Sequence, residues 1–167
     1  DLLADNQLLT FDAVMRCNRG TTVKQVGVLR STVRMALKDN DGEAGVYLKR
    51  YRRGGIKCLA GMARRGTAMD EWSNILAFHR LGISTMIPLA AGMRKTGPAQ
   101  CESFLITREL EGTERLDHYL ARDMIRPLTW KQIADKRQLI KGLALLIRRM
   151  HGSGINHRDL YLCHLLV

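Results

Sequence analysis

Between residues 31 and 50 the chain alternates apolar and polar positions around a turn. Ser31-Thr-Val-Arg-Met-Ala-Leu37 is rich in β-formers, Asp39-Asn-Asp-Gly42 is a strong turn signal, and Gly45-Val-Tyr-Leu-Lys49 resumes the extended pattern. A further extended stretch, Thr21 to Arg30, predicts a strand ahead of these and so an antiparallel meander. From Thr67 to Leu81 the pattern turns helical, with Thr67 as a cap, Asp70 and Glu71 in the first turn, and Gly82 as the stop. Ile83 to Met93 reads as loop and short strand. Ser103-Phe-Leu-Ile-Thr107 reads as a buried strand, closed by the polar Glu109-Leu-Glu-Gly112. A short helix is expected around Leu116–Arg122 and a long one from Trp130 to about Met150. On the long helix Ile133, Ile140, Leu143, Ile147 and Met150 define the apolar face, and Lys141 and Arg148 the wet one. Gly152 and Gly154 end it, and Trp72 and Trp130 are expected to anchor packing. Strands first and helices after is an α+β plan, with a small β-rich lobe ahead of a helical one.

Composition narrows this picture. The 167 residues suit about one domain, and 46% hydrophobic content excludes a disordered basic tail. The uncharged run Leu81–Met93 contains Pro88 and is too short for the roughly 20 residues of a membrane span. Cys17, Cys58, Cys101 and Cys163 form no C-x-x-C pair, which argues against a zinc ribbon and for reduced, cytosolic thiols. The net charge of +11 favours polyanionic partners, and residues 44–66 hold Lys49, Arg50, Arg52, Arg53, Lys57, Arg64 and Arg65 with no acid. A nucleic-acid module is one reading of that charge. With 5% aromatic residues and no recognised binding motif, a specific nucleic-acid partner is not expected.

The most informative segment follows the long helix: Asn156-His157-Arg158-Asp159-Leu160-Tyr161-Leu162-Cys163-His164. It has the H-R-D-L-x-x-x pattern of a protein-kinase catalytic loop, where an aspartate orients the attacking hydroxyl and accepts its proton. Read alone, the tripeptide could equally be a solvated loop. Its setting adds weight. Val46-Tyr-Leu-Lys49 matches the strand on which a kinase lysine grips the nucleotide phosphates. Glu71 shares a helical face with Ile75 and Phe78, and a carboxylate on an apolar face needs a partner; Lys49 is the natural one. Gly20 and Gly27 are the candidates for a phosphate-covering turn, although no G-x-G-x-x-G precedes the second strand. Met62-Ala-Arg-Arg-Gly-Thr67 could cradle an anion but reads rather as a basic loop, and His79 and His151 read as packing residues.

Together these motifs resemble the lipopolysaccharide core kinase family of the Kdo/WaaP–InaA type. The resemblance runs from about residue 20 to 167, and its most specific string is Gly154-Ile-Asn-His-Arg-Asp-Leu-Tyr-Leu-Cys-His164. Arg64–Gly82 is similar to the family's equivalent of the kinase C-helix, and Ser103–Gly112 to its hinge. The resemblance implies a protein-kinase-like fold, with residues 1–108 as N-lobe and 109–167 as hinge and first part of the C-lobe. It implies ATP-dependent phosphorylation of a heptose or Kdo sugar of the lipopolysaccharide inner core, with ATP and Mg2+ as cofactors. Asp159 would be the catalytic aspartate, Lys49 the phosphate-binding lysine and Glu71 its ion-pair partner. Glu109, Gly20 and Gly27 join Lys49 as expected nucleotide contacts, and His164 stands where protein kinases place a magnesium-binding Asn. Partners would be the core sugar and the anionic inner-membrane surface, with the protein peripheral on the cytoplasmic side of a Gram-negative inner membrane. The metal-binding aspartate of the D-F-G type lies outside the chain, which opens at Asp1 and closes on Leu165-Leu-Val167. A C-terminally truncated kinase is therefore expected, and a catalytically incomplete kinase-like fragment or pseudokinase is the alternative.

Overall fold

The computed structural model describes residues 1–54, 67–97, 100–157 and 159–167. The basic connection 55–66, with most of the Met62–Thr67 string, and Arg158 lie outside the described residues. The chain divides into two compact units, one of residues 1–77 and 85–109 and one of 78–84 and 110–167.

The first unit is built on a five-stranded antiparallel sheet. Its strands are β1 (Thr21–Val26), β2 (Arg30–Asp39), β3 (Gly42–Gly54), β4 (Ile87–Gly97) and β5 (Gln100–Arg108), in the order β1-β2-β3-β5-β4. The expected meander is present. Asp39 pairs with Gly42, so Asn40 and Asp41 connect the two strands, and Gly42, the residue after them, has a positive φ of +137°, a backbone conformation that favours glycine. The first strand is shorter than expected because residues 27–29 form the turn into β2. The loop and short strand expected from Ile83 to Met93 is in fact a loop followed by the eleven-residue edge strand β4. Pro88 and the small residues Ala90, Ala91 and Gly92 hide its alternation, and an edge strand tolerates a proline near its start.

The pleat gives the sheet two different faces. Val33, Met35, Leu37, Val46, Leu48, Phe104 and Ile106 form one, and Tyr51 and Leu105 lie on the other. Residues 1–19 cover the first, with Leu8, Val14, Met15 and Cys17 buried there. Helix α1 (Phe11–Arg16) in this strap is too short for periodicity to reveal, though Thr10 caps it by accepting a hydrogen bond from Ala13 N–H at 3.2 Å. Asn6, nearly buried, pins the strap to β2: its side-chain amide donates to Leu2 and Lys38 carbonyls at 2.7 and 2.8 Å, and its oxygen accepts Lys38 N–H at 3.0 Å.

Helix α2 (Ala68–Arg80) packs on the second face through Ala68 and Ile75, with Trp72 beside them. Its start is secured twice. Ala68 N–H donates to Ser103 Oγ at 3.2 Å, and the Asp70 carboxylate accepts from Thr67 N–H and hydroxyl at 2.8 and 3.1 Å. Thr67 thus donates to the first turn, where the sequence suggests that it caps by accepting. Gly82, at φ +63°, ends the helix, and Ile83 N–H reaches back to the Phe78 carbonyl at 2.9 Å.

The second unit carries α3 (Leu116–Asp123) and α4 (Trp130–Gly152). Thr129 and Gln132 form a capping box at the start of α4. Gly154, at φ +76°, closes it with Ile155 N–H donating to the Met150 carbonyl at 3.1 Å. The apolar row is centred on Leu139, Leu143, Leu146 and Met150, so Ile140 falls at its rim and is 57% exposed rather than packed. Trp130 is 88% exposed, on the far side of the helix from that row, and anchors nothing among the described residues. Residues 165–167 run back along 114–116, with Glu114 and Val167 exchanging N–H···O bonds of 2.9 Å and Leu116 N–H donating to Leu165 at 2.9 Å.

Candidate active site

In the first unit the candidate site is a row of side chains on the α2 side of the sheet. Position 49 of β3 is opposite Thr32 and Leu105, and α2 brings Glu71 to it from above. Lys49 Nζ lies 2.8 Å from Glu71 Oε2, both side chains about three-quarters buried. Tyr51 donates its hydroxyl to the other carboxylate oxygen, Oε1. Glu71 is thereby held at both oxygens, one by a cation and one by a phenol. Tyr51 was absent from the expected site. Its signal is legible in hindsight: two residues beyond Lys49, it projects from the same face of the strand. The Arg30 guanidinium covers its ring at 4.8 Å from the centroid.

Glu109, expected to contact the nucleotide, is spoken for as a side chain. Arg34 donates to it from Nε and Nη2, both at 2.7 Å, and the Tyr47 hydroxyl donates at 3.1 Å. The Arg34 hydrogen bonds hold its carboxyl below the usual carboxylate value, against the opposing effect of desolvation. The carboxylate also fills the space above Gly45, where a Cβ would stand 2.0 Å from Glu109 Oε2. The residue locks the end of β5 to β2 and β3, and its carboxylate is already engaged where the sequence suggests a nucleotide contact.

The two glycines part company. Gly27, φ +53°, sits in the β1–β2 turn with open space around it, which leaves its backbone free to approach a ligand. Gly20 stands before β1, outside that turn. Its φ is +93°, and a Cβ there would lie 2.2 Å from the Arg34 carbonyl oxygen. Close strand approach accounts for Gly20, and its expected place in a phosphate-covering turn is corrected.

In the second unit the loop after α4 carries Asp159, which is exposed, and ends in a single 3-10 turn, Leu162–His164. The Asp159 carbonyl accepts Tyr161 N–H at 2.9 Å and a hydrogen bond from His164 Nδ1. The His164 ring centroid lies 6.0 Å from those of His157 and of Tyr161. A magnesium ion takes six oxygen-rich ligands. Among the described residues no three His, Cys, Asp or Glu side chains gather as a metal group, and His164 turns one ring nitrogen to a carbonyl. The magnesium site expected at His164 therefore does not fit as a complete site on the described residues.

A family model described as the lipopolysaccharide kinase (Kdo/WaaP) family matches residues 23–167. The chain belongs to that family. Among its relatives is the lipopolysaccharide core heptose(I) kinase WaaP of Escherichia coli, 39% identical over 97 residues, which are 58% of this chain and 36% of that protein. The protein of the same description from Pseudomonas aeruginosa is 37% identical over 100 residues, 60% of this chain and again 36% of the relative. The chain thus spans little more than a third of the length of these curated relatives. A solved structure described as WaaP in complex with acyl carrier protein superposes with a TM-score of 0.73 at 30% identity, covering 98% of this chain and 58% of that one. The fold is accordingly kinase-like, as the motif order predicts. Coverage of 98% takes in most of the strap of residues 1–19 as well, although the family model begins at residue 23. No helix among the described residues is long and apolar enough to cross a membrane.

Proposed function

We propose that this Kdo/WaaP-family chain is the nucleotide-gripping and catalytic-loop part of an ATP-dependent kinase that phosphorylates a heptose of the lipopolysaccharide inner core. The observation that carries the reading is the Lys49–Glu71 ion pair at 2.8 Å with Tyr51 on the remaining carboxylate oxygen. An ammonium has three N–H donors. With one given to Glu71, the others are free in principle for phosphate oxygens, and the pair neutralises the lysine enough to hold it in place without a ligand. Gly27 lets the β1–β2 turn approach phosphates through its backbone. The identities to core heptose kinases favour heptose over Kdo as acceptor.

Asp159 is the proton acceptor in this reading. As the sugar oxygen attacks the γ-phosphorus, the P–O bond to ADP breaks and the hydroxyl proton passes to the carboxylate. Positioning and charge stabilisation supply most of the acceleration in such transfers, which is why a fixed lysine and a fixed aspartate suffice as the chain's own contribution. Asp159→Asn in the intact protein is expected to lower phosphate transfer to core sugar by roughly 10²–10⁴-fold, with the thermal midpoint unchanged. Wild-type turnover in that variant would remove Asp159 from the mechanism.

The structural neighbour's description suggests a second element of the reading, an acyl carrier protein as partner, and this chain's net charge of +11 favours contact through an acidic surface. Binding that weakens steeply with added salt would support it. Residence at the cytoplasmic face of the inner membrane belongs to the same proposal, since the acceptor is a lipid-linked sugar.

A further inference from the structure

We infer that His164 is a positioning residue, whose ring Nδ1–H holds the main chain of Asp159 and with it the direction of the catalytic carboxylate. The inference rests on the reading of Asp159 as proton acceptor. A carbonyl oxygen only accepts, so the hydrogen bond between His164 Nδ1 and the Asp159 carbonyl requires a proton on Nδ1. The same carbonyl accepts Tyr161 N–H at 2.9 Å. Both of its lone pairs are then engaged, and the peptide plane that follows Asp159 cannot turn without breaking two bonds. Asp159 is exposed, so burial does nothing to hold it.

The ring is itself well supported. It lies between His157 and Tyr161, at 6.0 Å from each centroid. Its main chain is in the 3-10 turn, with His164 N–H donating to the Tyr161 carbonyl at 2.9 Å. Just beyond, Leu165 and Val167 are tied to Leu116 and Glu114 by three bonds of 2.9 Å. The imidazole therefore reaches back five residues from an anchored point to an exposed one. An extended loop with no such link would let the carboxylate wander, and a displacement of about 1 Å costs on the order of 10²-fold in rate.

The test uses the intact protein with ATP, magnesium and core acceptor. His164→Ala is expected to lower kcat by roughly 10- to 100-fold at saturating magnesium, with KM for ATP within about twofold of wild type. His164→Asn, whose side-chain amide can donate to the same carbonyl, is expected to recover most of that loss. Wild-type kcat in His164→Ala overturns the inference, and so does recovery of His164→Ala to wild type by excess magnesium, which would make the residue a metal ligand only. Imidazole nitrogen NMR of the wild-type protein reads the bond without any activity: a protonated, slowly exchanging Nδ1 is expected, and an unprotonated Nδ1 overturns the inference even if the alanine variant fails to fold. Wild-type turnover in Asp159→Asn together with a protonated Nδ1 would instead leave the contact standing and remove the catalytic reading beneath it.

Discussion

Lys49 and Arg50 are neighbours on one strand, both cationic, and the pleat sends them to opposite faces of the sheet. Lys49 meets a carboxylate, Glu71, at 2.8 Å under α2. Arg50 meets the strap of residues 1–19, donating from Nη1 to the Met15 carbonyl at 3.0 Å and from Nη2 to the Cys17 carbonyl at 2.7 Å. Those oxygens are at the C-terminal end of α1, where a helix leaves carbonyls without internal partners and its dipole favours a cation. Burial pushes the Arg50 guanidinium below its ordinary value, and its buried Nε has no partner among the described residues. Both terminal nitrogens of the guanidinium hold the strap. The ammonium keeps donors to offer. One face of the sheet is thus closed by its cation, and on the other the cation is paired with a carboxylate where the proposed function would have it meet a phosphate.

That contrast can be broken by three measurements. Lys49→Met should reduce turnover by roughly 10²–10³-fold while leaving the midpoint of urea unfolding close to wild type. Arg50→Met should do the reverse. With two helix-end carbonyls left unpaired, stability should fall by about 1–3 kcal/mol, and turnover per folded molecule should stay unchanged. Equal loss of turnover in both variants would end the distinction between the faces. The smallest effect belongs to the Arg34–Glu109 pair, which sits at the end of the same row as Lys49. The folded pKa of Glu109 lies below its unfolded value, so its contribution to stability is whole above the unfolded pKa and is lost as pH falls through the folded one. Wild type should therefore lose more stability than Glu109→Gln between about pH 5 and about pH 3, read as the difference in urea midpoints. Parallel curves would show that Arg34 does not hold that carboxylate in solution.

Much of the site was legible along the chain because its parts are local. Residues 39–42 announce their turn, Thr67–Gly82 their helix, and the loop 156–164 its kinase-like motif, since each depends on neighbours in sequence. Pairing Lys49 with Glu71 across 22 positions was also reachable, because a charge on an apolar helical face demands a counter-charge. Other parts were hidden for physical reasons. Six residues of α1 are too few for periodicity to register. The edge strand β4 is masked by Pro88 and small residues. Gly20 resembles a phosphate glycine until its approach to the Arg34 carbonyl is known. Glu109 has the right type and position for a ligand contact, yet its use was decided by Arg34, which lies 75 residues away in the chain.

By itself, then, the sequence determined the family and the order of elements, and it supplied the residues proposed to do the chemistry, because spacing and residue type are sufficient for these. The tertiary structure decided which cation in a run of cations faces a carboxylate and which a helix end. It also decided whether a carboxylate is free or spent, and what His164 touches. Those outcomes turn on distances of about 3 Å between residues far apart along the chain, at the scale where hydrogen bonds form or fail. Composition can supply a donor and an acceptor, but only packing brings them within reach.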